Sequence, residues 1–431
     1  MKDLRSSLQG KYEPSFFNMK VDIMSYNENM SDREISLFVH EYIHYLQNIT
    51  TIYGLERLLY DFSILCRMVE WVWKQKSMDI CVPISEDVLS ELTRSNKKIL
   101  DLTWGDTVDY NIKDFQFVSA EKFDSVRIDE KRSVDTICIT YKNKSGEEDF
   151  CLFGAREITE SMAYLIEREI TRDYENSPAY PYEAAQMVVN YIYPPLLDDK
   201  RNFLIVCDMA LMSSNPGAEL FEITKWLKMI SYTFTDPREF YLFLDLNWEF
   251  NDMGRRISHC NYFINRAEDV RNNLHTILQD EYFSDYHAWV DCIIDRAIFL
   301  RKSNPLFWLD LVELGYIKSN PAWEGIINWL GSPLIETIKH EIFHVDPLGF
   351  DSSCTIYFKV FNQIYRLLRK GEVQCELLPW CYDKRNIVEI DATCFNCPWN
   401  HSDINGQLCT FKGVWNHWGL EKYKIRIREP K

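Results

Sequence analysis

The sequence predicts an α+β fold that is mainly α-helical, and three observations predict it. Apolar residues recur at helical spacing over long stretches, as in Ile35, Phe38, Val39, Tyr42, Ile43, Leu46 and Ile49. Prolines at 194–195, 216, 237, 305, 321 and 333 punctuate a run of such stretches. Strict alternation is confined to one region, where Thr136–Tyr141 and Asp149–Phe153 flank the turn signal Asn143-Lys144-Ser145-Gly146.

Taken in order, residues 14–24 read as a short strand leading into a helix from about Arg33 to Ile49. Ser31 and Glu34 make a capping box at its start. Thr50, Thr51 and Gly54 mark a break, and a second amphipathic helix runs from Leu55 to about Lys74. Residues 77–101 read as partly helical. Alternation returns over Asp114–Val118, followed by the hairpin, and Gly154 ends its second strand. A helix then spans Arg156 to about Asp173. Further helices are expected over 182–194, 200–213, 217–233, 237–248, 265–279, 282–302 and 305–314. Composition shifts after about residue 350, and five of the 13 Cys fall between 375 and 409. The expected division is therefore 1–199, a catalytic domain with a small β-hairpin insertion, 200–350, a helical domain, and 351–431, a Cys-rich C-terminal module.

The chain has 431 residues, 46% of them apolar, which is enough for a large core and argues against disorder. Its formal net charge of −17 argues against a nucleic-acid or anionic-membrane partner. No apolar run reaches membrane-spanning length, and the first residues hold no apolar signal core. Thirteen Cys in such a chain fit reduced thiols in a cytoplasmic protein better than a disulfide framework.

The most informative feature is His40-Glu41-Tyr42-Ile43-His44, an H-E-x-x-H sequence. Residues four apart share a helix face, so His40 and His44 can bind one metal ion, with Glu41 beside it as a proton acceptor. Glu41 is the only charged residue from Ser36 to Leu46. Burying one carboxylate and two imidazoles is costly unless something compensates them, and a zinc ion would. The competing reading is a core helix that carries these letters by coincidence.

Catalytic zinc takes three protein ligands and leaves one position open. Gln47 and Thr50 stand where a metzincin would place Gly and His. The segment Gly154–Tyr164, with Glu160 followed by uncharged Ser161, Met162, Ala163 and Tyr164, is the best source of a third ligand. Together with the H-E-x-x-H helix it resembles the glutamate helix of gluzincin metallopeptidases, within the zincin superfamily. That resemblance covers about a dozen residues and implies a zincin-like core, with His40, His44 and Glu160 as ligands and Glu41 as general base. Tyr164 occupies the place where such helices often carry an Asp. Glu157, one turn before Glu160, is an alternative ligand or an acceptor for a His N–H, and Glu56 and Glu70 remain alternatives on the next helix. The commonest fate of Glu157, Glu160 and Glu167 would be a solvated helix face.

His340-Glu341-Ile342-Phe343-His344 repeats the motif. Ser332-Pro333 reads as a helix start, but Lys339, Asp346 and Pro347 make poor flanks, so the expectation is a helical turn with surface histidines. Cys375, Cys381, Cys394 and Cys397 are candidates for a structural zinc, the last two at knuckle spacing, with His401, Cys409 and His417 nearby. The competing reading is a group of buried thiols.

These features converge on a Zn2+-dependent metallopeptidase acting on a protein or peptide, subject to restraint by a regulatory partner. The rivals are a zinc-binding structural or interaction protein and a zinc hydrolase acting on another substrate.

Overall fold

The computed structural model describes residues 10–26, 29–105, 115–172, 177–248, 250–252, 255–383, 390, 392–401 and 409–428. Asp114 and Asp173, the ends of an expected strand and helix, lie outside them. The chain is mainly helical with small sheets, as the periodicity predicts.

The described residues begin with two short strands, β1 (Gly10–Glu13) and β2 (Asn18–Val21). Helix α1 (Asp32–Thr50) begins where expected because Ser31 and Glu34 exchange hydrogen bonds: Glu34 N–H donates to Ser31 Oγ at 3.3 Å, and Ser31 N–H to Glu34 Oε2 at 3.0 Å. The pair satisfies donors that a helix start leaves without partners. Thr51 ends α1 in an extended conformation and caps α2 (Ile52–Trp73) through the Gly54 N–H. A Cβ at Gly54 would lie 2.4 Å from the carbonyl oxygens of Gln47 and Asn48, so only glycine fits this tight corner.

Next come β3 (Asp79–Val82) and α3 (Glu91–Trp104), then the antiparallel sheet β4 (Gln116–Arg127), β5 (Ser133–Lys142) and β6 (Glu148–Phe153). The β5–β6 turn lies at the expected asparagine, whose side chain accepts from the Ser145 and Glu147 N–H groups. Helix α4 (Ala155–Ile170) follows and packs against α1.

The helical run is α5 (Ala179–Tyr182), α6 (Ala184–Ile192), α7 (Lys200–Leu211), α8 (Pro216–Met229), α9 (Pro237–Asn247), the ribbon β7 (Phe250–Asp252) and β8 (Arg255–Ile257), α10 (His259–Ile277), α11 (Ser284–Ser303), α12 (Phe307–Glu313) and α13 (Pro321–Leu330). The chain closes with β9 (Leu334–Glu336), β10 (Ile342–Phe343), α14 (Ile356–Lys370), α15 (Leu378–Asp383), α16 (Thr393–Asn396), α17 (Thr410–His417) and β11 (Lys424–Ile427). No helix among the described residues is long and apolar enough to cross a membrane.

Two sheets tie distant segments together. One has the order β1-β2-β9-β10, with β2 parallel to β9 and the other pairs antiparallel. The other pairs β3 with β11 in parallel. Strand pairing thus crosses the expected boundaries near 199 and 350.

The expected helix after Ser332-Pro333 is a hairpin instead. Ser332 N–H donates to Val345 O at 3.0 Å, and Val345 N–H donates to Ser332 Oγ at 2.8 Å, closing the β9–β10 pair. Ser332 satisfies a strand partner rather than a helix start, because alignment with β2 supplies hydrogen bonds that local propensity cannot see. Glu336 in β9 meets Lys359 of α14, which is fully buried, at 2.5 Å. Burial pushes this carboxyl up, but Lys359 and Lys20 outweigh it and hold it at about 2.

The end of α1 is clamped from α11. Arg301 Nε donates to Thr50 O at 2.7 Å, one of the carbonyls that a helix end leaves without a partner, and its two terminal nitrogens bind Asp208 of α7 at 2.7 Å each. Trp308 Nε1 also donates to Asp208, at 2.9 Å. Arg301→Met leaves a buried carboxylate without its cation and should destabilise the fold by about 3–5 kcal/mol in urea denaturation. A loss no greater than that of an exposed ion pair would show that α1 is held by other contacts.

Candidate metal centre

The helical spacing of α1 places His40 and His44 one turn apart on the face that meets α4. There His40 Nε2 lies 3.2 Å from His44 Nε2 and 3.2 Å from Glu160 Oε2, and His44 Nε2 lies 3.6 Å from the same oxygen. The ring orientations follow from their outer partners. Gln47 Nε2 donates to Thr159 O at 3.1 Å, so its Oε1 is the acceptor facing His44 Nδ1 at 2.8 Å, and that nitrogen carries the proton. Glu167 accepts from Ser36 Oγ through one oxygen and faces His40 Nδ1 through the other, at 2.9 Å. Both Nε2 atoms therefore face the point that Glu160 also faces, each able to turn a lone pair there once deprotonated.

Held this close, the two ring nitrogens and the carboxylate oxygen need a proton or a cation between them. In a tetrahedral site with zinc–nitrogen bonds of about 2.0–2.1 Å, ligand atoms stand about 3.3 Å apart. The observed separations of 3.2–3.6 Å match that edge. Two imidazoles and one carboxylate form a zinc donor set, whereas calcium and magnesium take oxygen ligands. Among the described residues, His40, His44 and Glu160 form a group within ligand distance, and no fourth His, Cys, Asp or Glu completes it. Without a metal, protons on the imidazoles take that place. Burial favours neutral imidazole, but Glu160 and Glu167 outweigh it and hold His40 well above the usual range. Burial pushes Glu160 up, yet the two histidines hold it well below the usual carboxylate range.

Glu41 is 7% exposed, and burial raises its pKa against the lowering effect of His44 and His40. Strand β1 passes directly over it. A Cβ at Gly10 would lie 2.4 Å from Glu41 Oε1, so glycine permits this approach. All four residues of β1 line a cleft of about 1460 Å³ that also contains His40, His44 and Glu160. Tyr182 lies in the same wall, its ring 5.8 Å from that of His40.

The alternatives for the third ligand lie elsewhere. Glu157 caps α4, accepting from Gly154 N–H at 2.8 Å and from the Tyr180 hydroxyl at 2.7 Å, and burial lifts its pKa to about 7. Glu56 binds Ser214 and Arg266, and Glu70 pairs with Arg67 near the surface. Glu167, read as a solvated charge, is the residue that sequence reasoning missed. It stands seven positions after Glu160, two turns along one helix face, and that spacing was the available signal.

In the second motif, His340 sits in the β9–β10 turn at φ 62°, its side chain 68% exposed and paired with Glu336 at 3.0 Å. His344 pairs with Asp346 at 3.1 Å. His344, Asp346 and Asp351 form a second geometric group, composed largely of exposed carboxylates. Of the cysteine candidates, Cys375, Cys381 and Cys394 are buried, while Cys397 is half-buried.

No family model matches the chain, and neither the curated proteins nor the solved structures provide a match. The function therefore has to be argued from the site.

Three substitutions rank the carboxylates. Glu160→Ala should weaken zinc binding most, and Glu167→Ala by about 10–100-fold, as for groups that orient a ligand. Glu157→Gln should leave affinity unchanged. Competition with a chromophoric chelator reads all three, and an effect of Glu157→Gln larger than that of Glu160→Ala would overturn the assignment.

Proposed function

We propose that the protein is a zinc-dependent metallopeptidase of gluzincin type, with His40, His44 and Glu160 as metal ligands and Glu41 as general base. The observation that carries this reading is the convergence of three donors, and of no fourth among the described residues, beside a buried carboxylate in an open cleft. A purely structural zinc would be expected to have four protein ligands. Bound here, zinc would act as a Lewis acid and bring the pKa of a water in its open position toward 7.

The chain's own groups do the rest. Glu41 takes the proton from the attacking water and passes it to the leaving amine. Its burial raises its proton affinity and so suits it to both transfers. Glu167 and Gln47 hold the two imidazoles in the tautomer that presents Nε2.

Two observations favour a peptide over a small acyl substrate. The cleft, at about 1460 Å³, exceeds the ~300–1,000 Å³ of small-molecule pockets. Among the described residues strand β1 lies at the end of its sheet, and it lines the cleft, so its outer edge can receive an extended peptide through main-chain hydrogen bonds.

The test is turnover of a fluorogenic peptide library, with metal content measured on the same samples. Glu41→Gln should retain zinc and lose activity by about 10²–10⁴-fold, because an amide cannot accept the proton. Gly10→Val should also retain zinc while turnover falls, since the new side chain displaces the Glu41 carboxylate. His340→Ala with His344→Ala should leave both zinc and turnover unchanged. Near wild-type turnover in Glu41→Gln would sink the mechanism.

A further inference from the structure

The cleft that holds the candidate metal centre is also walled by α2, α3 and α14. Arg57 of α2, Lys97 of α3, and Arg366, Arg369 and Lys370 of α14 line it, in a chain whose formal net charge is −17. Most of these cations are already matched. Lys97 and Arg369 bind Glu86, at 2.6 Å and 3.1 Å, while Arg366 and Lys370 pair with Glu372.

Arg57 is different. It is half-buried, and its guanidinium makes no hydrogen bond and no ion pair among the described residues. Asp61, one turn further along α2, and Asp101 of α3 line the same cleft, yet neither forms an ion pair with it. The Asp61 oxygens are engaged elsewhere: the Tyr365 hydroxyl donates to Oδ1 at 2.6 Å, and Ser15 Oγ lies 3.3 Å from Oδ2.

What holds Arg57 is an aromatic face. Its Cζ lies over the Trp104 ring, 5.0 Å from the centroid. Tyr53, one turn earlier on α2, stacks on the same ring, with centroids 6.4 Å apart and planes within 8°. Both aromatic residues line the cleft. Stacking fixes the plane of a guanidinium and leaves the N–H groups at its edge available. A fork of donors held in this way, with no acceptor of its own, fits a carboxylate through two parallel hydrogen bonds.

Strand β1 relates this fork to the metal centre. It passes over Glu41 at Gly10 and runs from there to Glu13, about 10 Å further on at the usual strand rise. Two residues beyond its end, Ser15 Oγ donates to the Arg57 carbonyl oxygen at 2.8 Å. A peptide laid along β1 with its scissile bond at the metal therefore brings a residue roughly three to five positions away toward Arg57.

We propose that Arg57 is a specificity residue that binds a carboxylate of the substrate, either an acidic side chain or a free C-terminus, at that distance from the scissile bond. The proposal rests on the peptidase reading for where the scissile bond lies.

The test uses fluorogenic peptides in which a single Glu is moved along the sequence, each paired with its Gln counterpart, and a second set ending in a free acid or an amide. In one set the acid should be preferred over its amide counterpart by about 10–100-fold in kcat/KM, as for hydrogen bonds to a charged group. The set that shows the preference distinguishes a side chain from a C-terminus. Arg57→Met should bring the ratio close to one, and Arg57→Lys should keep part of it, both with the zinc content of the wild type. Arg57→Glu should instead favour Lys at the sensitive position. Should Arg57→Met fail to fold, the wild-type preference and its fall in Arg57→Lys carry the test. The same ratios are read as affinities on zinc-loaded Glu41→Gln protein, by fluorescence anisotropy of labelled peptides, where turnover is not needed. Absence of turnover in the wild type, with the acid preference intact in binding, would count against the peptidase reading alone. Equal affinity for acid and amide peptides throughout, no binding of either, or a preference that survives Arg57→Met would overturn the role of Arg57.

Discussion

Two imidazoles and three carboxylates are packed between α1 and α4, and their need for mutual compensation governs the rest of the structure. His40, His44, Glu41, Glu160 and Glu167 are all at least largely buried, where an ionised group without a partner is costly. The solution is a ladder that runs from Ser36 through Glu167, His40, Glu160, His44 and Gln47 to the Thr159 carbonyl. Each member can be satisfied only if the two helices keep one register. The capping box at Ser31 defines where α1 begins, and the Arg301–Asp208 clamp holds where it ends. The helix is thus held at both ends, which keeps the side chains on its α4 face in one arrangement.

The scaffold also decides what reaches this ladder. Strand β1 crosses the top of Glu41 at Gly10 and, among the described residues, is the end strand of its sheet beside the cleft. The sheet that carries β1 is completed by β9 and β10, some 300 residues later in the chain, and is held by the buried Lys359–Glu336 pair. Segments remote from the H-E-x-x-H helix therefore set the wall of the cleft beside it.

The two copies of H-E-x-x-H separate a motif from its context. In the first, apolar residues on both sides and a strong cap make a helix, and the four-residue spacing of the histidines becomes a shared face. In the second, the same letters fall on a hairpin, where a turn at His340 and strand pairing at Ile342–Phe343 send the histidines to separate carboxylates. Spacing in sequence carries chemistry only through the secondary structure that realises it.

What the sequence by itself determined is the local structure: the start of α1, the helical run between Pro194 and Pro321, the β5–β6 hairpin, and the pairing of His40 with His44. These follow from caps, turns and periodicity, which act over a few residues. Glu160 was legible because uncharged residues follow it, a sign of burial that Glu157 and Glu167 lack. The tertiary structure alone decided that Glu157 caps its own helix while Glu167 holds His40, and that β2 recruits β9. The energies that settle these choices arise between segments far apart in the chain, so no local pattern records them.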